Sequence, residues 1–190
     1  MKTILLIDGE NFRHKVEAIL KNNGIKSKTF SAELLEKVFE KSLPLKKYNI
    51  VEKRYYCAKI RLYTETKKQS LKLIAEQRKL KTFLEKAGYN VVVAGNVRMS
   101  KSYNGRLDFK EKGVDVKLAV DLVSIAYEKT ADKVVLCSSD SDLQPAIEQG
   151  RLKGLEVVYC GFESSVNKGL IFTTDKKVLI PDTAVLESLI

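Results

Sequence analysis

Two short acidic runs, each directly behind an apolar run, carry most of the chemistry this chain offers. They are Asp8-Gly9-Glu10-Asn11 after TILLI and Ser138-Ser139-Asp140-Ser141-Asp142 after KVVLC. A polar residue behind a strand often only caps the next helix, because its side-chain oxygen accepts a free N–H of the first turn. One residue suffices for that. Three polar side chains around Gly9, a residue that permits a tight turn, exceed the need. In the second run Pro145 suits the first turn of the following helix, which makes Asp142 the expected cap. Asp140 is then left without a structural task, and two carboxylates one residue apart repel unless positive charge lies between them.

A third acid, Asp115, opens a helical segment, where the dipole favours it. Asp121 lies six residues on, rotated by about 240° at 100° per residue, so the two do not face one point. Asp121 is expected half-buried and paired with Lys117. Asp8, Asp115, Asp140 and Asp142 gathered together are untenable without cations. Oxygen donors without His or Cys select Mg²⁺ or Mn²⁺, ions suited to phosphate-ester chemistry at a two-metal-type site. His14 is the only histidine, and Cys57, Cys137 and Cys160 sit singly inside apolar runs. A zinc site or a His-based triad therefore lacks material, and the thiols read as reduced core residues.

The elements that must position these acids follow from hydrophobic periodicity. Five near-continuous apolar runs, Thr3–Asp8, Asn49–Ala58, Tyr89–Gly95, Lys133–Ser138 and Leu155–Cys160, read as strands buried on both faces. Between and after them lie helical patterns at Asn11–Asn22, Ser31–Leu43 (capped by Ser31 and stopped by Pro44), Thr66–Ala87, Asp115–Lys129, Leu143–Leu152, Ser164–Thr174 and Asp182–Ile190. In Thr66–Ala87 a broad stripe of Leu71, Ile74, Ala75, Leu80, Phe83 and Leu84 is expected to face the core. Strand–helix alternation implies a three-layer α/β/α domain with a mainly parallel five-stranded sheet. In the order 3-2-1-4-5, the first and fourth strands are neighbours and their acids meet at the carboxyl edge, where such sheets bind ligands. The irregular stretch Asn96–Lys112, with Asn104-Gly105 as a turn, reads as a surface loop or small hairpin.

With 190 residues, one domain spanning 1–190 is expected. The net charge of +10 suits a polyanionic partner, although charge alone also keeps a protein monodisperse. Lys59, Arg61, Arg98, Lys101, Arg106 and Lys112 follow the second and third strands, towards the acidic rim, with Tyr63, Tyr103 and Phe109 interleaved. This pattern suits phosphate contacts and base stacking along an RNA strand, single-stranded or structured. Lysines flanking the first helix, Lys15, Lys21, Lys26 and Lys28, read mainly as a solvated face. The N-terminal apolar run is too short for a signal peptide and no run is long enough to span a membrane, so the expected location is cytoplasmic. A homodimer is compatible with all of this.

IDGEN, KGVDVKLAVDL and CSSDSDLQPAI occur here in the order and spacing of the NYN domain, and LIFTTDKKVLIP resembles its closing segment. The chain thus resembles the LabA-like branch of the PIN-like nucleases over essentially its whole length. The resemblance implies RNA phosphodiester hydrolysis with Mg²⁺ or Mn²⁺. It implies Asp8 as a metal ligand oriented by Asn11, Asp115 as the helix acid, and Asp140 as a ligand with Asp142 as its companion. Asp121 matches a recurring helix acid, and Ser139 stands where glycine is common; both are read as supporting residues around the site. An RNA-binding or regulatory adaptor that keeps the pocket without turnover is the alternative. A phosphatase with Asp-x-Asp behind the first strand does not fit Asp8-Gly9-Glu10, and no Gly-x-Gly-x-x-Gly dinucleotide motif follows that strand.

Overall fold

The computed structural model describes residues 1–25, 30–101 and 107–189. Its strands are β1 (Thr3–Asp8), β2 (Ile50–Lys59), β3 (Tyr89–Lys101), β4 (Leu107–Lys112), β5 (Lys133–Cys137), β6 (Glu156–Phe162) and β7 (Lys176–Ile180). Its helices are α1 (Gly9–Asn22), α2 (Ala32–Lys41), α3 (Leu43–Lys46), α4 (Lys67–Lys86), α5 (Val114–Glu128), α6 (Gln144–Leu152), α7 (Lys168–Thr173) and α8 (Asp182–Glu187).

The strands form one sheet in the order β4-β3-β2-β1-β5-β6-β7. Every pairing is parallel except the antiparallel β3–β4 hairpin. The expected five-stranded sheet in the order 3-2-1-4-5 is therefore corrected to seven strands. The five apolar runs occupy the middle, and β4 and β7 extend the two edges. Both additions carry charge, as edge strands commonly do: β4 is LDFKEK, and β7 opens with the exposed Lys176 and Lys177.

Burial separates two helical layers. On one face Phe12, Val16 and Leu20 of α1, Leu35 and Val38 of α2 and Val185 of α8 pack on Leu5, Ile7, Tyr55 and Val158 of the sheet. On the other face Leu118, Leu122 and Ile125 of α5, Ile147 of α6 and Leu170 of α7 cover Leu6, Tyr56, Leu136 and Tyr159. Alternate residues of the central strands supply the two cores, the consequence of a period of two between layers that are both apolar. Ser31 caps α2 by accepting Leu34 N–H (3.1 Å). The stripe expected on α4 is only partly realised. Leu84 is fully buried and Leu80 packs on the core, but Leu71 and Phe83 are 49% and 46% exposed. The helix packs beside β3, and the apolar side chains Leu71 and Phe83 stay partly uncovered there.

The parallel order brings the carboxyl ends of β1, β2 and β5 to one edge. Asp8 pairs in register with Tyr56 of β2, and Ile7 with Cys137 of β5. The β3–β4 hairpin extends beyond that edge, because Lys59, the last residue of β2, pairs with Asn96 while β3 continues to Lys101. Cys137 and Cys160 are buried free thiols in register across β5–β6, and Cys57 is a half-buried one. Among the described residues no helix is long and apolar enough to cross a membrane.

Candidate active site

Asp8 ends β1 and caps α1. Its Oδ1 accepts Asn11 N–H (3.1 Å), and its Oδ2 accepts the Ser138 hydroxyl (3.1 Å). Ser138 Oγ in turn accepts Asp140 N–H (3.2 Å), so a single hydroxyl joins the two acidic runs. Asn11 Oδ1 accepts Ser139 N–H (3.1 Å), fastening α1 to the loop behind β5. Cap and functional geometry are thus the same interaction: the residues that start α1 also fix the loop bearing Asp140.

Gly9 takes part differently from the expected turn. It is an ordinary helical residue, and glycine is required there because a Cβ would lie 2.4 Å from the Tyr55 ring. The second cap is also reassigned. A 3₁₀ turn, Ser141–Leu143, precedes α6, and Asp140 caps that turn by accepting Asp142 N–H (2.9 Å). Asp142 caps nothing; it is exposed and lies outside the residues lining the cleft described next.

A cleft of about 490 Å³ opens at this edge, lined by Asp8, Glu10, Asn11, Asp140, Asp115 and Glu111, with His14, Lys112, Gly113, Val114 and Val116 completing its walls. Asp8, Asp115 and Asp140, remote in sequence, therefore face one space. Asp115 reaches it from the first turn of α5. Its placement follows from close backbone packing: a Cβ on Gly95 would sit 2.0 Å from the Lys112 carbonyl, and Gly95 and Gly113 have φ of +68° and +90°. Only glycine adopts such conformations at little cost, so the hairpin can fold back tightly and start α5 at the rim.

Glu111 was not anticipated. Its Oε1 accepts Ala58 N–H (3.0 Å), and burial, reinforced by the charges of Glu10 and Asp8, pushes its carboxyl up to about 7. The period-two alternation of β4, with Phe109 and Glu111 half-buried and Lys110 and Lys112 exposed, is the sequence signal that would have found it. Asp8 is likewise raised above the ordinary carboxylate range. Burial is the main cause, with Asp140 and Glu10 adding to it, while the Asn11 N–H and Ser138 hydroxyl oppose it.

Asn167, also unanticipated, buttresses the loop from behind. Its Nδ2 donates to the Ser139 carbonyl (2.9 Å), its N–H donates to the Tyr159 hydroxyl (3.1 Å), and its Oδ1 caps α7. Ser139 therefore holds the loop through its backbone. On α1, Glu10 Oε1 is shared by Arg13 and His14, each at 2.8 Å. Asp121 does not line the cleft. It is buried beneath α5, accepting from Lys117 (2.5 Å) as expected and from the Tyr56 hydroxyl (2.9 Å). It thereby ties α5 to β2.

Of the basic residues, Lys59, Arg61, Arg98 and Lys112 are exposed at or beyond the carboxyl edge, and Lys112 lines the cleft. Arg61 Nε donates to Asn96 Oδ1 (2.9 Å), bracing the hairpin base. Tyr63 packs against Phe109 (ring centroids 6.1 Å apart) and donates its hydroxyl to the Val97 carbonyl (2.7 Å). Tyr103, Arg106, Lys26 and Lys28 lie outside the described residues, as does the side chain of Lys101.

The cleft is lined by oxygen donors, the type a hard divalent cation takes, and burial, with neighbouring acids adding to it, raises Asp8 and Glu111. Among the described residues no group of three or more His, Cys, Asp or Glu side chains is placed to hold a metal ion.

A three-layer α/β domain with carboxylates at the carboxyl edge of its parallel strands is the architecture of the PIN-like nuclease superfamily. The NYN domain model matches residues 2–180, and the chain belongs to that family. Its fold is similar to the crystal structure of a protein of unknown function from Vibrio parahaemolyticus, with a TM-score of 0.58 at 18% identity, covering 94% of this chain and 92% of that one. No curated protein matches the sequence.

Proposed function

We propose that the protein is a Mg²⁺- or Mn²⁺-dependent ribonuclease of the LabA-like branch, acting in the cytoplasm as a single domain over residues 1–190. The observation that carries this reading is the convergence of Asp8, Asp115 and Asp140, from three remote segments, on one cleft of about 490 Å³. Asp8 and Asp140 are the principal cation-holding residues, with Asp115 on the facing wall. Asn11 and Ser138 orient them by hydrogen bonds to Asp8 and to the loop behind β5. Asp142, one turn outside, is assigned the companion role through its N–H on Asp140 rather than direct coordination.

A divalent cation held by Asp8 and Asp140 would offset the charge of a phosphodiester and lower the pKa of a bound water. The chain's own residues do the rest. Lys112 at the cleft wall draws a phosphate towards the carboxylates, and Lys59, Arg61, Arg98, Lys101 and Arg106 guide the strand along the hairpin, with Tyr103 as a stacking platform. The deep placement of Asp8 keeps bulk water from screening its charge.

Asp140→Asn removes a charge while leaving an oxygen for Asp142 N–H. It should abolish EDTA-sensitive cleavage of a labelled RNA with the circular dichroism spectrum unchanged. Cleavage at the parent rate would overturn the assignment. The absence, among the described residues, of any group of three or more acids, His or Cys placed to hold a metal ion favours, as the second reading, an RNA-binding adaptor without turnover. Salt-sensitive RNA binding with no metal-dependent product would establish it.

A further inference from the structure

We infer that the outer face of α5 pairs with itself: two copies of the chain associate antiparallel along an apolar seam on this helix. Val116, Val120 and Tyr127 are 61%, 53% and 55% exposed, and Val123 between them is half-buried. Successive members of the set are separated by four, three and four residues. At 100° per residue all four lie within about 60° of one another. They stand opposite the face that buries Leu118, Leu122 and Ile125. A single exposed valine is ordinary on a protein surface. Large apolar residues alternating at three and four form the narrow seam by which helices pair.

The charges beside the seam select a second copy as its occupant. One flank carries Lys117 near the start of α5 and Glu128 at its end, both exposed, and the other carries the uncharged Ala119. A twofold axis across the seam runs the two helices antiparallel and keeps like flanks on the same side. Each Lys117 then lies beside the partner's Glu128, and each positive helix N-terminus beside a negative C-terminus. A parallel pair would lay the charged flank against Ala119 and leave both charges unmatched. Among the described residues Glu128 has no ion pair in its own chain, and Lys117 spends one of its three N–H groups on Asp121. In the antiparallel register Val120 meets the partner's Val123, and Val116 meets the partner's Tyr127. Val116 lines the acidic cleft, and Lys153 lies over the Tyr127 ring (4.5 Å). Each copy thus brings a cation towards the cleft wall of the other. The seam is only about 22 Å long, so the interface belongs to the small, transient class and association depends on concentration.

Sedimentation equilibrium of the full-length protein from about 5 to 500 µM should show the average mass rising from one copy towards two. Val120 lies close to the twofold axis, so it faces its own counterpart as well as the partner's Val123. Val120→Glu and Val120→Lys should each stay monomeric with an unaltered circular dichroism spectrum, because like charges meet across the axis. An equimolar mixture of the two variants should associate, since the facing charges are then opposite. Glu128→Lys sets two cations together at both ends of the seam and should weaken association about threefold or more. A parent protein that stays monomeric throughout, or a Val120→Glu variant that associates like the parent, would overturn the inference. A mixture that stays monomeric while the parent associates would also overturn it, because the copies would then meet through another surface.

Discussion

Removing the Glu111 charge should stabilise the metal-free protein at neutral and alkaline pH. In the unfolded chain the carboxyl titrates near 4.5, and in the folded chain its affinity for a proton rises to about 7. Below the lower value both states are protonated and the group contributes equally to each. Between the two values the unfolded state gives up its proton while the folded state keeps it, so stability falls as pH rises. Above about 7 the loss is complete. Taken at about 1.4 kcal/mol per pH unit, the separation corresponds to roughly 3 kcal/mol. The side chain is only partly buried, and solvent screening lowers the figure to about 2 kcal/mol.

In a domain of this size that is roughly 4–8 °C in Tm. Glu111→Gln keeps an oxygen for Ala58 N–H and lacks the titration. Urea and thermal melts in EDTA from pH 4.5 to 8.5 should show the variant gaining on the parent through the pH range 4.5–7, and no further above it. Asp8 shifts in the same direction in both proteins, so its contribution largely cancels from the difference. A difference that stays flat with pH would refute the claim that burial and neighbouring acids burden Glu111.

Gly9→Ala should cost about 1–3 kcal/mol by overpacking against Tyr55, measured by urea melts, and Tyr55→Leu should recover part of the loss. Asn11→Ala strands Ser139 N–H and should destabilise by about 1–3 kcal/mol. It should also raise amide exchange at Ser139 and lower RNA cleavage. Asp121→Ala leaves the buried Tyr56 hydroxyl without its acceptor and should cost about 1–3 kcal/mol in denaturant melts without changing the acidic cleft. Arg61→Ala and Arg98→Ala should each weaken binding of different RNA sequences equally and reduce the slope of log affinity against log salt by about one.

The central strands and most helices were legible because their signals are local. TILLI, KVVLC and EVVYC are apolar on both faces only because helices cover both faces, and that composition survives in the sequence. β4 and β7 escaped because an edge strand has fewer neighbours and can carry Lys and Glu, which makes it resemble a loop. Asp8, Asp115 and Asp140 were found as acids at element starts, where the backbone determines their position. The cap falls on Asp140 and not on the expected Asp142 because the 3₁₀ turn before α6 shifts it by two residues, and no residue type announces that turn. Glu111 and Asn167 owe their positions to partners far away in the chain, the Ala58 N–H and the Ser139 carbonyl. Such pairings are invisible until the sheet is assembled.

The bond from Ser138 to Asp8 closes a loop of 130 residues, and that from Ser139 to Asn11 one of 128. While it is being synthesised, the chain exposes its first acidic run long before the loop that completes the pocket exists. A ribosome-bound intermediate lacking β5 holds Asp8 without the serine hydroxyl that steadies it. The cleft between the two acidic runs is therefore completed late and all at once, when most of the protein has emerged.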